Sequence, residues 1–256
     1  MSPNKTDCPM PQPASFAELR EKLLGNSPAA RNPRVLIVAF GDSVTLGLTV
    51  NPELLHERAY HALLRVELAR EFPTASFSAI NAGVSGDSAQ RARRRLQRDA
   101  LDAHADLVII AFGLNDSSAG KDGLSSFAEE LGNLVRQAQD SGAAVILMTP
   151  NAMATRDNGH VDPKFRGALP DVITCQNEGL LALYAEQVRQ AGAAAGAPVA
   201  DVYAEWERRS ALGEDMTAHL ANGLNHPDAY GHRIACDLLL KTLLSALHHT
   251  PAKLEG

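Results

Sequence analysis

The sequence has few cysteines, few aromatic residues and no long apolar run. Its 256 residues include three cysteines, Cys8, Cys175 and Cys236, without Cys-x-x-Cys spacing. This pattern indicates neither a disulfide framework nor a zinc site. No stretch approaches the roughly 18 apolar residues of a membrane span, and the N-terminus lacks the apolar segment of a secretory signal. We therefore expect a cytoplasmic protein with no membrane partner and no metal.

An excess of positive charge is also missing. The net charge is −6 and the isoelectric point is about 5.8, so the composition predicts no nucleic-acid partner. One basic run stands out, residues 91–95 together with Arg98. Its simplest interpretation is the solvated face of a helix, and the alternative is a site for an acidic ligand. The oligomeric state is not indicated.

What the chain does have is a regular alternation of strand and helix patterns. Apolar runs predict strands over 34–40, 77–82, 105–113, 143–150 and 197–203. Between and around them, helical periodicity covers 15–25, 53–72, 86–104, 125–142, 176–195 and 228–247. This order predicts a parallel five-stranded sheet with helices on both faces, an α/β/α sandwich of three layers.

One domain accounts for nearly the whole chain. We assign it residues 15–250, and we expect the Pro-rich residues 1–14 to form a flexible arm. The segment 151–175 is long and irregular and follows the fourth strand, which favours a wall of the substrate site.

Polar and small residues follow three of the predicted strands. These segments are Gly41-Asp42-Ser43, residues 81–87 and residues 113–116, and the pair His226-Pro227 precedes the last helix. Ligands of open parallel sheets bind beyond the carboxyl ends of the strands. The sequence therefore predicts that these segments meet in one site.

The residues of these segments match the needs of acyl transfer. A serine attacks a carbonyl once a base removes its proton, which makes Ser43 the candidate nucleophile and His226 the candidate base. The oxyanion that results needs hydrogen-bond donors. The candidates are the backbone N–H groups of Ser43 and Gly83 and the side-chain amide of Asn115.

Four blocks carry a resemblance to a known family. "FGDSVTLG", "NAGVSGD", "GLND" and the late "HP" resemble the blocks of the SGNH hydrolases, also called GDSL esterases and lipases. The resemblance implies a flavodoxin-like strand order 2-1-3-4-5, and it implies the roles given above for Ser43, Gly83, Asn115 and His226. It also implies hydrolysis of a carboxylic ester through an acyl-enzyme, with no cofactor.

The substrate and the reaction partner stay open at this point. We expect a small-molecule ester of small or medium size, with acetyl groups on carbohydrates among the candidates. An acyltransferase on the same scaffold, a lipase or a thioesterase are alternatives. A non-catalytic binding module with flavodoxin-like topology is a more distant one.

The sequence departs from the family where the acid of the triad belongs. The family has an Asp three residues before the catalytic His, and Gly223 stands there. The third member of a triad accepts a hydrogen bond from the histidine Nδ1 and fixes its tautomer. Asn222 is our preferred candidate, and a backbone carbonyl, Asp215 or Asp228 are the alternatives.

Several of these residues also have structural interpretations. Ser43 suits a helix N-cap, and Gly83 and Gly86 suit turns. We expect Asp42 and Asp116 to brace the loops. His232 lies inside the last helix and is assigned to structure, whereas His160, three residues after an Asp, is a minor alternative for the base.

Overall fold

The computed structural model describes residues 14–24, 32–50 and 52–249. The predicted arm lies outside these ranges except for Ala14, and so does the last residue of the predicted domain, Thr250. Within them, five parallel strands form one sheet in the order β2-β1-β3-β4-β5. The strands are β1 (Arg34–Gly41), β2 (Ser76–Gly83), β3 (Leu107–Ala111), β4 (Ala144–Met148) and β5 (Val199–Ala200). The predicted fold class and strand order are confirmed.

Helices cover both faces of this sheet. In chain order they are α1 (Ala14–Leu23), α2 (Ser43–Leu46), α3 (Tyr60–Glu71), α4 (Ala89–Ala92), α5 (Leu124–Asp140), α6 (Leu169–Asn177), α7 (Leu180–Ala195), α8 (Val202–Ala211) and α9 (Ala229–His249). Alternate residues of β1 enter two different cores. Ile37 packs in the core that contains Leu64 of α3, and Val38 packs in the core that contains Leu131 of α5. Burial on both faces explains why β1 is apolar without alternation.

The register aligns the carboxyl ends of three strands. Gly41 at the end of β1 pairs with Gly83 at the end of β2, and on its other side with Ala111 at the end of β3. The three polar segments identified in the sequence therefore leave the sheet side by side. No helix within the described ranges is long and apolar enough to cross a membrane.

Two predicted helices are shorter than expected. The helix predicted over 53–72 begins only at Tyr60, because Leu54 forms an isolated bridge with Leu48 and His56 has a positive φ of 43°. The helix predicted over 86–104 is interrupted. α4 ends at Ala92, and the chain continues through turns into a π-helical stretch, Gln97–Leu101.

The second half of the chain contains more helix than expected. The segment 151–175 is irregular only in its first part, since a 3₁₀ helix covers Pro163–Ala168 and α6 follows. Gly179, with a φ of 74°, separates α6 from α7, where one continuous helix was predicted. The predicted strand 197–203 is cut short because Asp201 caps α8 by accepting a hydrogen bond from the Ala204 N–H at 3.1 Å.

Candidate active site

Ser43 opens a short helix at the carboxyl end of β1. It is the first residue of α2, and the residue that caps this helix is Asp42, whose Oδ1 accepts a hydrogen bond from the Val44 N–H at 2.9 Å. The N-cap interpretation of Ser43 therefore does not apply, and its hydroxyl is available for another partner. As the first N–H of a helix, the Ser43 N–H has no intrahelical acceptor.

Helix α2 lies very close to the ends of two strands. A Cβ atom added to Gly41 would lie 2.1 Å from Thr45 Oγ1, and one added to Gly83 would lie 2.1 Å from the Leu46 backbone nitrogen. Both positions therefore require glycine for reasons of space. The contact fixes the position of the serine relative to the sheet.

His226 contacts both Ser43 and a main-chain carbonyl. Its Nε2 lies 2.9 Å from Ser43 Oγ, and its Nδ1 lies 2.9 Å from the carbonyl oxygen of Thr49. A carbonyl oxygen only accepts hydrogen bonds, so Nδ1 carries the proton and Nε2 is free to accept one from the serine hydroxyl. This tautomer is the one that a general base requires.

Burial keeps this imidazole neutral. It lowers the pKa of His226 below its ordinary value, and the hydrogen bond to Thr49 opposes the shift only in part. A neutral base at ordinary pH is the result.

The carbonyl of Thr49 is held in place by its neighbours. The Thr49 N–H donates to the Glu53 carbonyl at 3.0 Å, next to the bridge between Leu48 and Leu54. The Leu48 N–H in turn donates to the Ser43 carbonyl at 3.0 Å. The residue that orients the histidine is thus tied to the nucleophile helix.

Asn222 organises the histidine loop through the main chain. Its Oδ1 accepts hydrogen bonds from the backbone N–H groups of Leu224, Asn225 and His226, at 3.0, 3.0 and 2.9 Å. The side chain preferred in the sequence for the Nδ1 contact therefore bonds to the backbone of His226, and the ring nitrogen bonds to Thr49. Asn222 is a positioning residue in this arrangement.

The two aspartates considered as alternatives bond elsewhere. Asp228 Oδ2 lies 3.1 Å from His219 Nδ1, and Asp215 pairs with Arg156. Gly223, which stands at the position of the family's acid, has a φ of 72°. A Cβ added there would lie 2.8 Å from both Asn158 Oδ1 and Val161 Cγ2. The positive φ and the close neighbours both disfavour an aspartate at position 223.

Two glycines, Gly83 at the end of β2 and Gly86 after it, have different surroundings. The Gly83 N–H donates to Asn81 Oδ1 at 3.0 Å. Gly86, by contrast, lines the same pocket as Ser43 and His226, has a φ of 72°, and has no atom within 4 Å of an added Cβ. Of the two glycines, Gly86 is the one that lines the pocket.

Asn115 also lines this pocket and is held by two acceptors. Its Nδ2 donates to the Asp87 carbonyl at 2.9 Å and to Asp42 Oδ2 at 3.2 Å. The second bond is the longer one. A negative charge that develops in the pocket would compete with Asp42 for the same N–H.

Asp42 and Asp116 are buried and hold backbone groups. Asp116 accepts hydrogen bonds from the Ala89 and Gly113 N–H groups, each at 3.0 Å, and so joins α4 to the segment after β3. Burial raises the pKa of Asp42 to about 7 and that of Asp116 to about 6. The hydrogen bonds that Asp42 and Asp116 accept from backbone N–H groups brace the loops at this edge of the sheet.

Arg95 is a structural residue that the sequence analysis missed. Its guanidinium donates to Asp87 Oδ2 and the Ala82 carbonyl, both at 2.7 Å, and to the Gly41 carbonyl at 2.8 Å. It also lies 4.3 Å from the centre of the Phe40 ring. The basic run is thus only partly a solvated face, because this one arginine is buried under the ends of β1 and β2. The spacing of the arginines in this run does not indicate that Arg95 is buried.

Two other histidines have different environments. His232 is fully buried, and its Nδ1 accepts a hydrogen bond from the Tyr60 N–H at 3.2 Å. Burial lowers the pKa of His232 to about 3, so it is neutral. His160 is exposed and lines the pocket of Ser43, whereas the contact with the serine hydroxyl is made by His226.

The pocket above Ser43 and His226 is small and of mixed polarity. Its volume is about 230 Å³, which is below the usual range for ligand pockets. Leu48, Val50 and Phe165 are apolar parts of its lining, and Asp162 is an acidic one. Among the residues that the structure describes, no group of three or more His, Cys, Asp or Glu side chains is placed to hold a metal ion.

The chain is similar to known proteins in both sequence and fold. A model of the GDSL-like lipase/acylhydrolase family matches residues 39–234. An uncharacterized lipoprotein, YqeF of Bacillus subtilis (strain 168), is 33% identical over 119 residues, which are 44% of this chain. The match spans 47% of that protein, about half its length.

Solved structures of similar fold include esterases. The acetylxylan esterase Axe2 from Geobacillus stearothermophilus has a TM-score of 0.63 and 22% identity, and the match covers 82% of this chain and 94% of that one. The α/β hydrolase LAE5 from the metagenome of Lake Arreo, Spain, has a TM-score of 0.63 and 23% identity, over 83% of this chain and 96% of that one. At this level of identity the likeness establishes the fold.

Proposed function

The chain belongs to the GDSL-like lipase/acylhydrolase family, and is by that membership a carboxylic ester hydrolase; we propose that it acts through an acyl-enzyme on Ser43 with His226 as the base. The observation that carries the proposal is the 2.9 Å contact between His226 Nε2 and Ser43 Oγ, across 183 positions of sequence. Such a contact between a serine and a neutral imidazole is the signature of an activated nucleophile.

The reaction begins with proton transfer from the serine to the imidazole. Ser43 Oγ attacks the ester carbonyl carbon while its proton passes to His226 Nε2. The imidazolium that forms keeps its Nδ1–H bond to the Thr49 carbonyl. It is stabilised by the carbonyl dipole, where a triad would supply a full negative charge.

The tetrahedral intermediate then needs donors for its oxyanion. We assign this role to the N–H groups of Ser43 and Gly86 and to the amide of Asn115, because these residues line the pocket around the serine. In this assignment Gly86 takes the role that the sequence gave to Gly83. Collapse of the intermediate expels the alcohol, which takes the proton from His226 Nε2. A water molecule, deprotonated by the same nitrogen, then attacks the acyl carbon; the bond to Ser43 Oγ breaks, Oγ takes the proton back from Nε2, and the acid is released.

The pocket favours an acyl group of small or medium size. Its volume of about 230 Å³ and the polar residues Asn222, Asn225 and Asp162 in its lining do not form a long apolar channel. A lipase with long acyl chains is therefore disfavoured. The Geobacillus enzyme of similar fold is named for acetylxylan, and an acetyl group on a carbohydrate is the substrate we propose for this chain.

The test combines covalent labelling with hydrolysis of p-nitrophenyl acetate. We expect a labelled fluorophosphonate to mark Ser43, and Ser43→Ala and His226→Ala to lower kcat by roughly 10³-fold or more. Ser141→Ala is the control, since Ser141 Oγ caps the end of α5 by donating to the Ala138 carbonyl. Labelling that persists in Ser43→Ala would remove this serine from the mechanism.

Three further expectations stay predictions. They are the cytoplasmic location, the absence of a nucleic-acid partner and the preference for water over another alcohol as acceptor. The last separates a hydrolase from an acyltransferase, and adding alcohols to the assay measures it directly.

A further inference from the structure

Residues 158–166, which we call the wall segment, lie against the loop that carries His226. Asn158 Nδ2 donates to the Thr217 carbonyl at 3.2 Å, and the buried Val161 packs where a side chain at Gly223 would lie. This packing brings His160, Asp162 and Phe165 into the pocket of Ser43. The space that an acid of a triad would need is thus occupied by the wall segment.

The wall segment presents an aromatic ring beside an ion pair. Phe165 is 40% exposed and lines the pocket. Lys164 Nζ lies 4.9 Å from the centre of this ring and 3.2 Å from Asp162 Oδ2. Hydrogen bonds from the backbone N–H and side chain of Lys164 lower the pKa of Asp162, which is therefore ionised at neutral pH.

An alcohol group bound beside the wall segment would meet the ring, the ammonium and the carboxylate together. The Lys164 ammonium already lies over one face of Phe165, and its charge repels a second cation near the ring. An anionic alcohol would meet the Asp162 carboxylate. An uncharged alcohol rich in hydroxyl groups meets neither obstacle, since its hydroxyls donate to the carboxylate and its C–H face packs on the ring.

We propose that the wall segment binds the alcohol part of the substrate, and that this part is an uncharged carbohydrate, held by Phe165 and Asp162. The proposal rests on the proposed function, because it assigns the alcohol side of the same pocket. It makes these two residues determinants of specificity, and leaves proton transfer to Ser43 and His226.

The experiment compares three acetyl esters that differ in their alcohols. They are ethyl acetate, which has no further hydroxyl group, acetylcholine, which has a cationic alcohol, and a monoacetylated xylose. Acid release in a pH-stat gives kcat and KM for each ester with the same detection. For the unaltered enzyme we expect the highest kcat/KM on the xylose ester and the lowest on acetylcholine.

Two variants and one control test the residues. Phe165→Ala removes the ring, and Asp162→Asn removes the charge while its amide oxygen still accepts the Lys164 N–H. Each is expected to lower kcat/KM on the xylose ester, mainly through KM, about tenfold more than it lowers kcat/KM on ethyl acetate. Leu212→Ala is the matched control for Phe165→Ala, because Leu212 is 74% exposed and lies outside the pocket lining.

Each outcome decides for or against the proposal. Hydrolysis of ethyl acetate with no preference for the xylose ester, or an equal loss on both esters in the variants, would overturn the carbohydrate subsite and leave the esterase standing. A preference for acetylcholine would replace the carbohydrate with a cationic alcohol. If the unaltered protein hydrolysed none of the three esters, that result would instead count against the proposed function.

Discussion

The Nδ1 atom of His226 and the carbonyl oxygen of Thr49 lie 2.9 Å apart, and this hydrogen bond takes the place of a histidine–carboxylate pair. The acceptor is neutral, so it orients the imidazole but raises its pKa less than a negatively charged carboxylate would. Burial then dominates, and the pKa of His226 falls below its ordinary value.

The first prediction concerns the pH profile of the reaction. The base must be neutral to accept the serine proton, and it is lost as pH falls through its pKa. Since the pKa of His226 is lowered from about 6.5, kcat/KM for p-nitrophenyl acetate should hold its plateau below pH 6.5. The measurement is a profile from pH 4 to pH 8.

A second titrating group needs a control in that profile. Asp42 has a pKa raised by burial to about 7, and it contacts Asn115. Repeating the profile with Asp42→Asn separates the two groups. An inflection at or above pH 6.5 that survives in this variant would contradict the prediction for His226.

The second prediction tests whether Asn222 acts by holding the backbone of the histidine loop. Its Oδ1 holds three backbone N–H groups, so Asn222→Ala should lower the free energy of unfolding by about 1–3 kcal/mol and lower kcat about tenfold or more through misplacement of the histidine. Asn222→Asp keeps an acceptor oxygen and should restore most of both. An Asn222→Ala variant with unchanged stability and unchanged kcat would refute the positioning role.

The third prediction is that an aspartate at position 223 does not create a triad. The φ of Gly223 is 72°, and a Cβ there would lie 2.8 Å from Asn158 and Val161. Gly223→Asp should therefore lower both stability and kcat, with about 1–3 kcal/mol from the backbone conformation alone.

Gly159→Asp is the matched control for that variant. Its φ is 79°, and an added Cβ would meet no atom within 4 Å. Thermal denaturation of both variants separates backbone strain from the steric clash with the wall segment. A kcat of Gly223→Asp above that of the unaltered enzyme would show that the wall segment yields to a carboxylate.

The fourth prediction concerns the buried guanidinium. Arg95→Met leaves Asp87 buried without its cation and frees the carbonyls of Gly41 and Ala82. We expect a loss of about 3–5 kcal/mol of stability, measured by urea denaturation. Arg94→Met, at an exposed neighbour in the same run, should change the stability by less than about 0.5 kcal/mol. Equal effects of the two substitutions would refute the structural role of Arg95.

The sheet was predictable because burial on both faces leaves a clear trace in the sequence. Ile37 and Val38 point into different cores, so both are apolar, and the run they belong to has no other simple interpretation. The segments after β1, β2 and β3 were predictable for the same reason, since their positions follow from the strands.

The rest depends on contacts that single positions do not reveal. Nothing in the run around Arg95 distinguishes it from Arg94, yet Arg95 is buried and Arg94 is exposed. Gly83 ends β2 and Gly86 lies in the turn that follows, and only the folded chain shows which of them lines the pocket.

The bond from His226 to a main-chain oxygen has a consequence for how this catalytic machinery is mapped. An alanine scan would replace every side chain and leave the Thr49 carbonyl intact, so it would reveal the proposed nucleophile and base and miss the carbonyl that orients the base. The position of the Thr49 carbonyl depends on the backbone around the Leu48–Leu54 bridge. Insertions or deletions in the loop beside that bridge would remove the hydrogen bond between Thr49 and His226, whereas a side-chain substitution at Thr49 would leave it in place.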